Sequence, residues 1–437
     1  MPKRYWIETL GCPKNAVDSA KLAGALVGEG YSAAGGADEA DLVVVNTCAF
    51  IEAAREESVE TILELSQRRR RGARLVVTGC LAERAGEELA QAMPEIDVVA
   101  GFGVPVSLRR GPRVRMAGRD GVPALDLLEL QRSAPGLPWA YVKVAEGCDR
   151  HCGFCAIPSF RGRQRSRSAQ AVLREVEELA RQGVVEVVLV AQDLASYGRD
   201  DGRPGALLSL LEAVRARVER VRLLYLYPSA LTDELVDAVI ASAGAYFDLS
   251  LQHVSVPLLR RMRRVGSADR FLERIDRIRT SAPHAALRSS FILGYPGETE
   301  EDHDALLSFL QAAQLDWAGF FTFSEEEGTY AAGLDHKVDT ALGLERLREC
   351  AELQDAITTR RRAALVGTSC EVLVDEPGLG RSQREAPEID GVIHLPRSLV
   401  PGRIVSVQIT ASEGPDLIAE PVGAGTTVPR DEGGHGW

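Results

Sequence analysis

Cysteines carry the chemistry in this 437-residue chain, and three of them crowd into residues 147–155, GCDRHCGFC. Cys148, Cys152 and Cys155 stand four and three positions apart. Zinc fingers pair cysteines two residues apart and then add a second pair or two histidines, closing four ligands around one ion. No fourth ligand with such spacing follows here. Three soft thiolates suit an iron–sulfur cluster, and with only three cysteines one iron of a four-iron cluster stays open to bind and activate a ligand. A zinc site, or three unrelated core cysteines, is the competing reading, and the ligand count weighs against it. His151, inside the motif, reads as a spacer.

A second triad is spread along the first hundred residues. Apolar extended runs at 5–10, 42–46 and 75–78 precede Cys12, Cys48 and Cys80, and helix-period stretches follow at 15–29, 52–67 and 83–92, with a further strand at 96–100. Strands alternating with helices predict a parallel sheet with right-handed crossovers, whose ligands collect beyond the carboxyl ends of the strands. All three cysteines fall at those ends, so topology would bring them to one edge where they can share a cluster. Each taken alone is also a small buried residue in a strand-to-helix turn, a reading that the threefold repetition opposes. Asn15, Asp18, Asn46 and Thr47 flank the cysteines, and the expectation is that they cap the helices.

The elements that must position these groups fall into further units. Residues 103–137, rich in Gly, Pro and Arg, read as a linker. A second α/β domain spans 138–366, with strands expected at 140–145, 185–191, 221–227, 246–251, 287–293 and 318–323. Six βα units predict a partial barrel with its site at the carboxyl ends of the strands. Gln192, Asp193, Tyr227, Gln252, His253 and the 294–298 loop would face that mouth, as ligand contacts or as caps. Arg161, Arg163, Arg165 and Arg167 follow the cysteine loop and are expected to meet substrate or a phosphate backbone. Cys350 shares an apolar face with Leu347 and Leu353 in a helical stretch at 339–366 and reads as packing. Short alternating runs at 371–374, 391–395, 404–411 and 417–422 predict a small antiparallel barrel over 367–423. The Gly-rich tail, 424–437, is expected to be disordered.

Composition narrows the classes. A chain this long is expected to hold two or three domains. No apolar run approaches the roughly 18 residues of a membrane span, and the start lacks a signal peptide's apolar region, so a cytoplasmic protein without membrane contact is expected. In that compartment eight cysteines argue for metal or catalysis over disulfides. A net charge of -12, from 51 basic and 63 acidic residues, disfavours indiscriminate nucleic-acid binding and favours a basic partner.

Five stretches, LGCPKNAVDS (10–19), VVNTCAFI (44–51), VTGCLAER (77–84), GCDRHCGFCAIPSFRG (147–162) and GRSQREAPEIDG (380–391), resemble the methylthiotransferase family of the radical S-adenosylmethionine (SAM) superfamily over residues 1 to about 423. The resemblance implies an α/β protein of three parts: an N-terminal parallel α/β domain (1–102), a central radical SAM partial (β/α)6 TIM-like barrel, and a C-terminal small β-barrel of TRAM type. It implies two 4Fe-4S clusters, one on Cys148, Cys152 and Cys155 with SAM at its open iron, the other an auxiliary cluster on Cys12, Cys48 and Cys80. The implied chemistry begins with reductive cleavage of SAM to a 5'-deoxyadenosyl radical, which takes hydrogen from an unactivated carbon. Sulfur from the auxiliary cluster and methyl from a second SAM then complete a methylthio group.

Within the family the motifs are similar to the branch whose substrate is the β-carbon of an aspartate in small-subunit ribosomal protein S-twelve. The branch that modifies tRNA adenosine shares every cysteine. Residues 366–423 hold nine acids and four arginines, 4 - 9 = -5, a balance that suits a basic ribosomal protein better than RNA, so nucleic acid is expected to be incidental. An electron donor such as flavodoxin or ferredoxin is implied as a second partner. An iron–sulfur electron-transfer protein and an RNA-binding module are the readings from other classes. The stretch LQHVSVPLL (251–259) departs from the family pattern at Val254 and Val256, which touches the detail of one wall.

Overall fold

The computed structural model describes residues 2–108, 112–116, 126–241 and 244–422. Apolar β-branched runs such as Leu42–Thr47, buried at every position, pair as a six-stranded sheet in which every neighbour runs parallel. Its central order is Arg4–Thr9, Leu42–Thr47, Arg74–Gly79, Val98–Ala100. Near-continuous apolar strands are what a sheet covered on both faces requires, and Pro13–Gly28, Glu52–Arg68 and Cys80–Ala92 supply helices after the three cysteine-bearing turns.

The stretch read as a linker is partly built into the fold. Val114–Arg115 adds the sixth strand beside Val98–Ala100. Further on, the carbonyls of Leu128 and Leu130 accept from the buried Lys21 ammonium at 3.0 and 2.8 Å. Poor periodicity hid this because the segment packs through scattered apolar side chains, such as Val106 and Leu127, and through backbone carbonyls, with no regular apolar face. The tail from 424 lies outside the described residues.

The central domain is a half barrel. Trp139–Lys143, Glu186–Val190 and Arg220–Leu223 form one parallel sheet, and Tyr246–Gln252, Ala286–Leu293 and Trp317–Thr322 form another. A parallel bridge between Leu226 and Leu249 joins them in sequence order. Helix Pro13–Gly28 brings the N-terminal domain against the first barrel strand, where Val17 packs with Trp139 and Tyr141. The long helix Thr340–Ala363 buries Cys350 in the main core, with Leu347 and Leu353 packed against it.

The C-terminal barrel closes in the order Ser369–Glu376, Leu379–Arg381, Ile393–His394, Asp416–Pro421, Ile404–Glu413. Four of its pairings are antiparallel, and Ile393–His394 runs parallel to Asp416–Pro421. The motif at 380–391 does not line a binding face: it plugs the amino-terminal end of the half barrel. Tyr141 donates to the carbonyl of Pro387 at 3.0 Å, Trp317 to that of Arg384 at 2.8 Å, and Tyr246 to the Asp390 carboxylate. Glu186 is gripped there by Arg222 at 2.8 Å and Arg381 at 3.0 Å. Among the described residues no helix is long and apolar enough to cross a membrane.

Candidate active site

Sheet register assembles the triad of Cys12, Cys48 and Cys80. Thr9 pairs with Asn46, Asn46 with Thr78 and Thr47 with Gly79, so the residues that follow, Cys12, Cys48 and Cys80, leave one edge of three adjacent strands. Gly11 has φ +89°, and a Cβ there would lie 2.7 Å from both Cβ and Sγ of Cys48; only glycine lets the Cys12 turn come this close.

Asn15, Asn46 and Asp18 are not caps, whereas Thr47 does meet a helix start, its hydroxyl accepting from the first-turn Leu81 amide of Cys80–Ala92 at 3.2 Å. The helix starts Cys12, Ile51 and Gly79 carry no side-chain cap bond. Asn15 instead donates to the carbonyls of Leu10 and Thr47 at 2.8 and 3.0 Å, and Asn46 to that of Asn15 at 2.9 Å. Thr47 donates to the carbonyl of Thr78 at 2.6 Å. These bonds tie the three cysteine-bearing turns to one another, since the polar backbone of buried turns must find partners.

The triad of Cys148, Cys152 and Cys155 lies on the loop after the first barrel strand. Gly147, at φ +73°, runs so near the carbonyl of Arg163 that a Cβ would sit 2.1 Å from it. The amide of Gly153 donates to Met262 O at 2.9 Å, and the Ala331 amide donates to Gly153 O at 2.8 Å. Arg264 donates to Cys152 Sγ at 3.3 Å, and the Arg150 amide to Cys148 Sγ at 3.4 Å. Arg150 and Arg264 both stack on Tyr227, at 4.0 and 4.1 Å from the ring centre. His151 is exposed.

Without metal, burial pushes the Cys148 and Cys155 thiols up to about 11 and about 12, and Cys48 to about 11. Burial acts the same way on Cys12, but Lys14, Arg161 and two backbone amides outweigh it and hold that thiol below its ordinary value. Metal ligation takes these protons away. No group of three His, Cys, Asp or Glu among the described residues is placed to hold one metal ion. A cluster asks for a different arrangement, because each thiolate binds its own iron and the ligands need not converge on a point. The three-thiolate donor sets therefore fit clusters better than zinc.

Other residues at the mouth fit a polar cofactor. Gln192 donates to Glu146 at 2.6 Å while its own Oε1 and Asp193 Oδ1 are buried without a protein partner. Such atoms are costly unless a ligand or water meets them. His253, expected at the same mouth, is buried instead beside Asp302, His303 and Arg346 of the outer helices. Burial pulls the His253 pKa down to about 4, so this ring is neutral at physiological pH.

The expectation for the arginines after the cysteine loop is corrected at three of four positions. Arg167 and Arg165 turn to Glu175 and Asp126, and Arg163, with a 93% exposed side chain, makes only a surface contact to Asp149 at 3.4 Å. Arg161 is buried. It donates to Cys80 Sγ at 3.3 and 3.1 Å, to Asn15 at 2.6 Å, to Asp18 at 3.1 Å and to Glu146 at 3.0 and 3.1 Å. Composition could not reveal this role, because the pairing joins residues 81 and 146 positions apart.

Comparisons with known proteins follow the same division. The profile of the Radical SAM superfamily matches residues 142–310, that of uncharacterized protein family UPF0004 residues 4–101, and the TRAM domain residues 366–422. The radical SAM methyltransferase TsrM from Kitasatospora setae superposes with a TM-score of 0.52 at 16% identity, covering 82% of this chain and 89% of that one. Fold and cysteine spacing thus define a radical SAM protein. The ribosomal protein uS12 methylthiotransferase RimO of Saccharopolyspora erythraea is 41% identical, covering 97% of this chain and 96% of its own length. That of Streptomyces avermitilis is 40% identical over the whole of both chains. The chain belongs to the RimO family of radical SAM methylthiotransferases.

Proposed function

We propose that this chain attaches a methylthio group to the β-carbon of an aspartate in ribosomal protein uS12. Cys148, Cys152 and Cys155 hold one 4Fe-4S cluster at the barrel mouth, with SAM against Gln192 and Asp193, and Cys12, Cys48 and Cys80 hold the auxiliary cluster. When bound, these groups supply radical activation of an unreactive carbon, the sulfur atom and the methyl group. The chain's own residues set where that happens. Lys143 and Glu146 tie the barrel loop to Asp18 and Arg161, so the two triads keep one spacing.

The observation that carries the reading is the shared buried network between two three-cysteine sites, which an electron-transfer protein or an RNA-binding module does not require. The outer charge of the C-terminal barrel favours a protein substrate. Arg381 and Arg384 are spent inward on Glu186, Asp375 and Asp316. Outside remain Glu371, Glu376, Glu388, Glu413 and Glu420 against Arg397 and Arg403. This surface repels phosphate and attracts a basic ribosomal protein. A uS12 substrate places the protein in the cytoplasm, and a small donor such as flavodoxin or ferredoxin would deliver electrons.

The test is to offer the anaerobically reconstituted enzyme, with SAM and reductant, both uS12 and unmodified tRNA. A mass increase of one methylthio group on an aspartate of uS12 is expected. Modification of tRNA adenosine alone overturns the reading.

A further inference from the structure

Beside Cys12 stands a buried cation that no carboxylate pairs with among the described residues. Lys14 follows Cys12 by two residues in the first turn of Pro13–Gly28 and is only 9% exposed. Its ammonium lies 3.6 Å from the ring centre of Tyr225. Among the described residues no oxygen accepts a hydrogen bond from it and no carboxylate pairs with it. The nearby charges are already committed, the Cys12 thiolate, which also faces the ammonium, being one of the three cysteines of its triad. Arg161 is spent as described, and Asp248 is held by Arg288 at 3.0 Å and by the Tyr225 amide at 2.9 Å.

A second observation marks the same spot. Tyr225, just beyond strand Arg220–Leu223, has φ 66°, a left-handed conformation that a bulky residue adopts only under strain. That strain keeps its ring under Lys14. One aromatic face satisfies a cation in part and leaves its three N–H donors unused. An ammonium withdrawn from water in this way calls for an anion.

We propose that Lys14 binds the side-chain carboxylate of the target aspartate, making it a specificity residue for the reaction. This assignment rests on the function proposed above. In aspartate the β-carbon is bonded directly to the carboxyl carbon, so a clamp on the carboxylate fixes the reacting carbon one bond away. Lys14 and Cys12 share one turn, which moves the clamp and the sulfur-bearing site as a unit. Uncharged substrates of the same size lack the group that this cation recognises.

A double-mutant cycle tests it on the full reconstituted chain. The affinities of wild type and Lys14→Met for uS12 are compared with their affinities for uS12 whose target aspartate is replaced by asparagine. Truncating one partner of a buried charge pair costs at least about 2 kcal/mol, so Lys14→Met should weaken binding of natural uS12 by roughly 30-fold or more. It should change binding of the asparagine form by less than about threefold. Equal losses for both substrates, or no loss for either, overturn the assignment. If Lys14→Met forfeits its iron, Lys14→Gln carries the same comparison with the same two outcomes. Wild type that modifies uS12 while the two affinities fall together rejects the Lys14 assignment alone. Wild type that ignores uS12 and modifies tRNA rejects the proposed function and the assignment with it.

Discussion

Arg161 holds Cys80 through two N–H groups, at 3.3 and 3.1 Å, although the two residues belong to different domains. Arg161 ends the short helix Ile157–Arg161 that begins two residues after Cys155, so one segment carries a cysteine of the barrel triad and a grip on Cys80 of the other. Hydrogen bonds to cluster sulfurs tune reduction potential. With Cys148, Cys152 and Cys155 replaced by Ala, leaving only the auxiliary triad, Arg161→Ala is expected to lower retained iron and to make the remaining cluster harder to reduce. Arg161→Lys should recover little, because an ammonium cannot reproduce the fork. Unchanged iron and potential would show that the contact is incidental.

Two separate triads predict about eight iron atoms per reconstituted chain. Replacing Cys148, Cys152 and Cys155 with Ala should leave about four, and so should replacing Cys12, Cys48 and Cys80. Iron that stays near eight in either triple variant contradicts the two-site assignment.

Glu326 latches the other side of the domain boundary. Its carboxylate, almost fully buried, accepts from Arg55 and Arg84 at 2.5 Å each, and neighbouring Ser324 accepts from the Glu52 amide at 3.1 Å. Hydrogen bonds to charged groups contribute about 1.5–3 kcal/mol where buried; partial exposure of both arginines puts this latch nearer the lower end. Glu326→Ala should speed amide hydrogen exchange in Glu52–Arg68 by roughly tenfold, the equivalent of about 1.4 kcal/mol, and leave the strands of the N-terminal sheet protected. Exchange equal to wild type would deny the latch.

Asp390 makes the barrel plug sensitive to pH. Burial lifts its carboxyl to about 6, against the opposing pull of Arg288 and the Tyr246 hydroxyl. An unfolded aspartate titrates near 4, so between roughly pH 4 and 6 the folded chain keeps a proton that the unfolded chain has lost. The stability this group contributes is present below that window and is lost as pH rises through it. Unfolding free energies of wild type and Asp390→Asn should therefore diverge, with wild type losing ground on the order of 1–3 kcal/mol from about pH 4 to about pH 7. A constant difference across that range would place the titration elsewhere.

Much of this arrangement was legible because its signals are local. Cysteine spacing within 147–155, and a strand–cysteine–helix repeat near residues 12, 48 and 80, needed only short windows to read. Six barrel strands announced themselves as apolar runs. The contacts that decide geometry were not visible, since Arg161 to Cys80, Lys14 over Tyr225 and Glu326 between two arginines each join chain segments far apart. Polar residues are read by default as caps or solvated surface, yet Asn15, Asn46 and Asp18 spend their side chains between turns. The motif at 380–391 was visible as a motif, but its role as a plug depends on Tyr141, Tyr246 and Trp317, which lie at the far ends of barrel strands.

The division of labour between the two triads is the centre of the account, and products formed by a folded Cys48→Ala chain that retains its barrel cluster test it most directly. With SAM, reductant and uS12 present, this variant should still release 5'-deoxyadenosine while forming no methylthio-aspartate. Methylthio product from that variant, or absence of deoxyadenosine, would contradict the assignment of sulfur delivery to Cys12, Cys48 and Cys80 and of SAM cleavage to Cys148, Cys152 and Cys155.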